Sequence, residues 1–198
     1  MKAVLYVHGM GGNAAEADFY RPLFPRCDVV GLDYKTFTPW ETGREIALAL
    51  EDLKARHENV ILIANSIGAY FSLHSGADKI IKEAYLISPV VDMERMILGM
   101  MASEGVTEEA LEKAGVIPTP FGVELSWEYL SFVRRHPVKW SAPTHILYGE
   151  KDALVAFNTV ERFASASGAD LTVMKGGEHW FHTEEQMKFL SRWIEKAN

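Results

Sequence analysis

Val60-Ile61-Leu62-Ile63-Ala64-Asn65-Ser66-Ile67-Gly68-Ala69 joins an unbroken apolar run to a serine with small residues two positions to either side. The run does not alternate, so it predicts a strand covered on both faces, as in a parallel sheet. Tyr70, Phe71 and Leu73 continue with spacing that fits a helix. A strand passing straight into a helix must turn sharply at Ser66, and bulk at positions 64 or 68 would obstruct that turn. A helix beginning just beyond Ser66 also aims backbone N–H groups at negative charge developing near its hydroxyl. The pentapeptide alone equally fits a serine that merely caps a helix after a strand.

Working outward, similar short runs recur at Ala3–Val7, Asp28–Asp33, Ala84–Ser88, Thr144–Tyr148 and Leu171–Met174, each bounded by turn residues. Amphipathic segments lie between them. Residues 45–56 place Ile46, Ala49, Leu50 and Leu53 on one stripe; Phe157, Val160, Phe163 and Ala164, then Met187, Leu190 and Ile194, repeat the spacing. Strands alternating with helices predict right-handed crossovers and an α/β, doubly wound, mainly parallel sheet of about six strands. Between positions 90 and 142 the rhythm stops. No strand is expected there, but three helical patches are, at 93–101, 108–114 and 125–135, punctuated by Gly115, Pro118, Pro120 and Gly122. That interval exceeds a simple connection. It is read as a helical cap inserted into a single domain spanning residues 1–198. Met93, Met96, Ile97, Leu98 and Met100 give its first helix an apolar face, suited either to a pocket or to packing, and Trp127, Leu130 and Val133 form a second stripe of the same kind.

The Ala64-Asn65-Ser66-Ile67-Gly68 setting resembles the nucleophile elbow of the α/β-hydrolase family, usually Gly-x-Ser-x-Gly, with Ala64 where the first glycine is usual. Three other stretches carry the resemblance. His8-Gly9-Met10-Gly11-Gly12 is similar to the family's oxyanion turn, implying the backbone N–H groups of Met10 and Ile67 as donors. Read without the family, it is a tight turn needing positive φ; no Gly-Lys-Ser/Thr comes after it to make it a phosphate loop. Gly149-Glu150-Lys151-Asp152 is similar to the loop bearing the triad acid, implying Asp152, with Asp92 the competing acid one strand earlier. Gly176-Gly177-Glu178-His179-Trp180-Phe181 resembles the loop of the catalytic histidine, implying His179. His182 is the runner-up there, with Thr183 as a helix cap, while Glu178 is read as solvated and His8 as a structural hydrogen-bonder. The order Ser66, Asp152, His179 matches the family. Because the His-Gly turn comes almost at once, the resemblance implies a minimal version of the fold lacking its first two strands.

The resemblance implies a serine hydrolase acting on a small carboxylic ester, or on a thioester or amide, through an acyl-enzyme. Acyl transfer, lyase and perhydrolase chemistry use the same triad, and a non-catalytic binding domain is the reading from outside enzymology. Dehalogenase and epoxide-hydrolase relatives place an aspartate where Ser66 stands. No metal-ligand spacing such as His-Glu-x-x-His occurs, and the triad requires no cofactor. The net charge of −7, with 20 basic residues scattered and none denser than Arg134-Arg135, excludes a phosphate-tracking surface and hence a nucleic-acid partner. Cys27 is the single cysteine, so no intrachain disulfide forms. The apolar opening is too short for a signal segment, and no run approaches a membrane span, so a cytoplasmic protein without a membrane partner is expected. Tyr34, Phe37 and Trp40 are read as edging the cleft or as surface aromatics. Nothing in the sequence sets the oligomeric state.

Overall fold

The computed structural model describes residues 2–120 and 122–197. The chain divides into two compact units, one running to Val91 and resuming at Lys139, the other Asp92–Val138.

The larger unit is built on six parallel strands, β1 Lys2–Val7, β2 Cys27–Leu32, β3 Asn59–Asn65, β4 Glu83–Ile87, β7 Thr144–Gly149 and β8 Asp170–Met174. Their spatial order is β2-β1-β3-β4-β7-β8. Each expected strand is present, shifted at its ends by no more than one residue. The apolar runs of β1, β3 and β4 are buried almost throughout because neighbours and helices cover both faces. Alternation sends Val4, Tyr6, Ile61, Ile63, Tyr85, Ile87 and Leu147 to one face, where they meet Phe24, Leu190, Trp193 and Ile194. The last three belong to α7, Glu184–Ala197. Leu5, Leu62, Leu86 and Ile146 are fully buried on the other face. The helices α1 Pro39–Arg56, α2 Ile67–Leu73 and α6 Phe157–Ser167 also contact the sheet. None of the helices among the described residues is long and apolar enough to cross a membrane.

Chain order places β2 on one side of β1 and β3 on the other, so the winding reverses at β1. Ligand crevices in such sheets lie beyond the carboxyl ends of the strands at that reversal. The register aligns Val7 with Ala64 and Asn65 with Ile87, so residues 8–12, 66–68 and 88–90 leave the sheet at one edge. Gly149 pairs with Met174, which brings the next two loops out at that same edge. α1 begins earlier than the expected 45, because Thr38 caps it by accepting from Glu41 N–H at 3.2 Å and Pro39 fits its first turn. Trp40 is consequently helical.

The second unit holds α3 Met93–Ser103, α4 Glu108–Ala114, α5 Trp127–Arg135 and, against expectation, an antiparallel pair of strands. These are β5 Val116–Pro118 and β6 Glu124–Ser126, which takes the residues expected to open the third helix. Three-residue strands are too short to register as a period, and only their pairing makes them strands. Thr119 closes the turn between them by donating N–H and hydroxyl to the Val123 carbonyl. The buried stripe of α3 is Met93, Ile97 and Met101, while Met96, Leu98 and Met100 are half-buried. Arg134 joins the three helices, donating to Glu94 at 2.7 Å and to both oxygens of Glu108 at 2.6 and 2.7 Å. Its hydrogen bonds hold the Glu108 carboxyl below the usual value. Arg134, from the densest basic pair in the sequence, is thus engaged with carboxylates.

Candidate active site

β3 ends at Asn65 and α2 starts at Ile67, leaving Ser66 alone to make the turn. It does so at φ 52° and ψ −119°, a conformation that costs a non-glycine residue about 1–3 kcal/mol and persists only when surroundings impose it. The surroundings are visible. Ser66 N–H donates to the Ile87 carbonyl at 3.0 Å, and the Ser66 carbonyl accepts from Val90 N–H at 3.1 Å. The end of β4 therefore grips the turn from both sides. Ser88, between those two contacts, is the other non-glycine residue with positive φ among the described residues, 44°, and is fully buried. Sequence reasoning does not single out Ser88. Its only signal is a serine before proline directly after a strand.

The two small flanks have unequal reasons. A Cβ on Gly68 would lie 2.3 Å from the His8 carbonyl oxygen and 2.8 Å from that of Val7, so α2 reaches β1 only with glycine there. Ala64 sits buried between Val7 and Leu86 and keeps its methyl group. This is why alanine is compatible with the turn at the first flank but not the second.

Although Ser66 occupies the N-cap position of α2, its side chain makes no cap bond. Its Oγ is 2.8 Å from His179 Nε2. His179 Nδ1 is 2.7 Å from Asp152 Oδ2. The Asp152 side chain is fully buried, and its other oxygen accepts from Leu154 N–H at 2.8 Å and Val155 N–H at 2.9 Å. Those two amides fix the carboxylate so that one oxygen faces the imidazole, and the second nitrogen of the ring is then directed at Ser66. Gly149 and Gly177 allow the two loops to meet: a Cβ on Gly149 would come within 2.6 Å of Gly177 and Glu178 backbone.

Other candidates lie elsewhere. Asp92 caps α3, accepting from Arg95 N–H at 3.0 Å. His182 stacks on Trp180 and hydrogen-bonds the Trp180 carbonyl at 2.7 Å. Thr183 caps α7 by accepting from Gln186 N–H. The Glu178 side chain is about half exposed. His8 contacts the Gly9 carbonyl at 2.8 Å through Nδ1 and stacks on Tyr34, ring centroids 4.2 Å apart. Tyr34 is buried, not a surface aromatic, and its hydroxyl donates to the His8 carbonyl at 3.1 Å. Burial, with the charges of Glu16 and Glu45, pushes that phenol up to about 12, so it remains a donor.

The His8–Gly12 turn packs directly on Ser66, since a Cβ on Gly9 would stand 3.1 Å from Ser66 Cβ. Gly12 N–H closes the turn on the Gly9 carbonyl at 3.1 Å. Among the described residues, the Met10 N–H has no protein acceptor, and Ile67, as the first residue of a helix, has none within it. No group of three or more potential metal ligands occurs among the described residues.

No protein-family model matches the sequence, and no curated protein does. Solved structures are similar over almost the full chain. Est1E from Butyrivibrio proteoclasticus matches with a TM-score of 0.80 at 17% identity, covering 99% of this chain and 86% of that one. Alpha/beta hydrolase domain-containing protein 10 from mouse gives 0.72 at 17%, covering 98% and 88%. A lipase-esterase related protein from Clostridium acetobutylicum ATCC 824 gives 0.68 at 14%, covering 98% and 93%. At such identities the likeness shows the fold alone, and with the strand order above it gives this chain an α/β-hydrolase fold.

Proposed function

We propose that the protein is a serine hydrolase that cleaves a small carboxylic ester, with thioesters and amides as the other acyl derivatives within reach of the same chemistry. One observation carries the reading: the unbroken line from Ser66 Oγ to His179 at 2.8 Å and from His179 to Asp152 at 2.7 Å, starting from a serine held at positive φ. The hydrolase and esterase names of the similar structures add support.

In this mechanism His179 Nε2 takes the Ser66 proton as Oγ bonds to the acyl carbon. The carbonyl π electrons move to oxygen, where the N–H groups of Met10 and Ile67 receive the charge. Asp152 keeps the imidazole in the correct tautomer and stabilises its cation. Collapse expels the alcohol, protonated by His179, and leaves an ester on Ser66. Water, deprotonated by His179, repeats the sequence and releases the acid. The reading includes a cytoplasmic enzyme that uses neither metal nor cofactor.

A fluorophosphonate probe tests it. The expected result is covalent labelling of the native chain that disappears in Ser66→Ala. Folded protein that resists the probe overturns the assignment and favours a binding domain that kept the fold.

A further inference from the structure

The oxyanion turn has a support that the triad does not explain. Residues 8–12 contain three glycines, and Gly11 adopts φ 73° with open space around it. Such a segment has little side-chain packing of its own, so the height of the Met10 N–H over Ser66 must be imposed from outside. At its start, His8 is clamped by the Tyr34 ring and hydroxyl. At its end the clamp is Glu16, in the 3-10 helix Ala14–Phe19.

Both oxygens of Glu16 are used. Oε1 accepts from Asn13 N–H at 3.2 Å, and Oε2 accepts from the Tyr6 hydroxyl at 2.5 Å. The carboxylate lies against Gly12, where a Cβ would fall 2.7 Å from Oε1. Glu16 thus holds the N–H of the peptide joining Gly12 to Asn13 and lies close against Gly12. Tyr6 supplies the rigidity: it is 1% exposed, on the inner strand β1, with its ring 5.0 Å from that of Tyr20. The other end of the turn meets the serine directly, since a Cβ on Gly9 would stand 3.1 Å from Ser66 Cβ.

We infer that Tyr6 and Glu16 form a positioning pair that anchors the far end of the His8–Gly12 turn to the core and so sets the Met10 N–H against Ser66 Oγ. This rests on the proposed serine-hydrolase reading. Burial, Tyr20 and Glu16 raise the Tyr6 pKa, so the phenol keeps its proton and donates throughout the working pH range. Neither residue touches substrate. Their effect appears where charge develops on the acyl oxygen, which is in the transition state and not in the bound ester.

The experiment compares wild type, Tyr6→Phe, Glu16→Ala and Glu16→Gln with p-nitrophenyl acetate and with phenylboronic acid, whose boron forms a tetrahedral adduct on a reactive serine. Tyr6→Phe and Glu16→Ala should lower kcat by about tenfold to a hundredfold with KM little changed, and weaken boronate binding in parallel. Glu16→Gln, which retains an acceptor for Tyr6, should recover part of the loss. Amide hydrogen exchange should accelerate at residues 10–13 in Tyr6→Phe and stay unchanged in β3. Wild-type kcat and boronate affinity in Tyr6→Phe and Glu16→Ala overturn the inference while leaving the hydrolase reading standing. A wild-type chain that neither turns over the ester nor binds the boronate overturns both.

Discussion

His179 and His182 share one loop, and only His179 reaches Ser66, because Asp152 hydrogen-bonds its far nitrogen while His182 folds back on Trp180. Replacing His179 with alanine should lower ester turnover by about 10⁴-fold or more, and replacing His182 should leave it near wild type. Equal losses in the two variants, measured as initial rates, would contradict the assignment. The carboxylates separate in the same way. Asp152→Asn should cost about 10³–10⁴-fold in kcat, since the amide favours the wrong imidazole tautomer. Asp92→Ala removes only the cap of α3, worth about 1 kcal/mol of stability, and should spare the rate. A large rate loss at Asp92 would move the acid to the preceding strand end.

At the scale of elements, the site depends on how closely loops approach each other. The loops after β7 and β8 touch through glycine: Gly149 meets backbone atoms of Gly177 and Glu178, which cannot rotate aside. Gly149→Ala should therefore push the Asp152 and His179 loops apart, lowering kcat and destabilising the fold by about 1–3 kcal/mol. Gly99→Ala is the control. It lies within α3 with open space around it, so a methyl group should be neutral or stabilise by up to about 1 kcal/mol. Urea midpoints and kcat for the two variants check both statements, and a Gly149→Ala enzyme as stable and active as wild type would refute the first. The β5–β6 pair shows the opposite dependence, since its strands exist only through each other and carry no pattern separable from loop.

For the molecule as a whole, the interior holds several tyrosines whose phenols are harder to ionise than in the unfolded chain. Burial raises Tyr6, Tyr20, Tyr34, Tyr85 and Tyr148, with Tyr34 shifting from 10.0 to about 12. Above pH 10 the unfolded chain releases these protons while the native chain keeps them. The native state then binds more protons, and stability falls as pH rises. The contribution is complete below pH 10 and for Tyr34 is lost between 10 and about 12. Urea midpoints should be level up to pH 10 and decline beyond it; a level curve through that range would exclude the linkage. Legibility in the sequence obeyed a physical line. The six strands were readable because a buried parallel strand must be apolar on both faces, and that constraint acts on every residue of the run. Ser66, Asp152 and His179 could be named because each stands at a strand end in a glycine-marked turn that resembles a loop of the α/β-hydrolase family. Contacts between distant segments leave no such local trace. That Ser88 is strained, that Tyr34 clamps His8, that Glu16 meets Tyr6 beside Gly12, and that Arg134 ties three helices were decided only when the chain closed on itself. The sequence determined the sheet, the turn at Ser66 and which residues are candidates for the proposed chemistry. The tertiary structure alone determined which of them stand within 3 Å of one another, because hydrogen-bond geometry between remote loops depends on sheet register and close backbone packing, neither of which any single segment encodes.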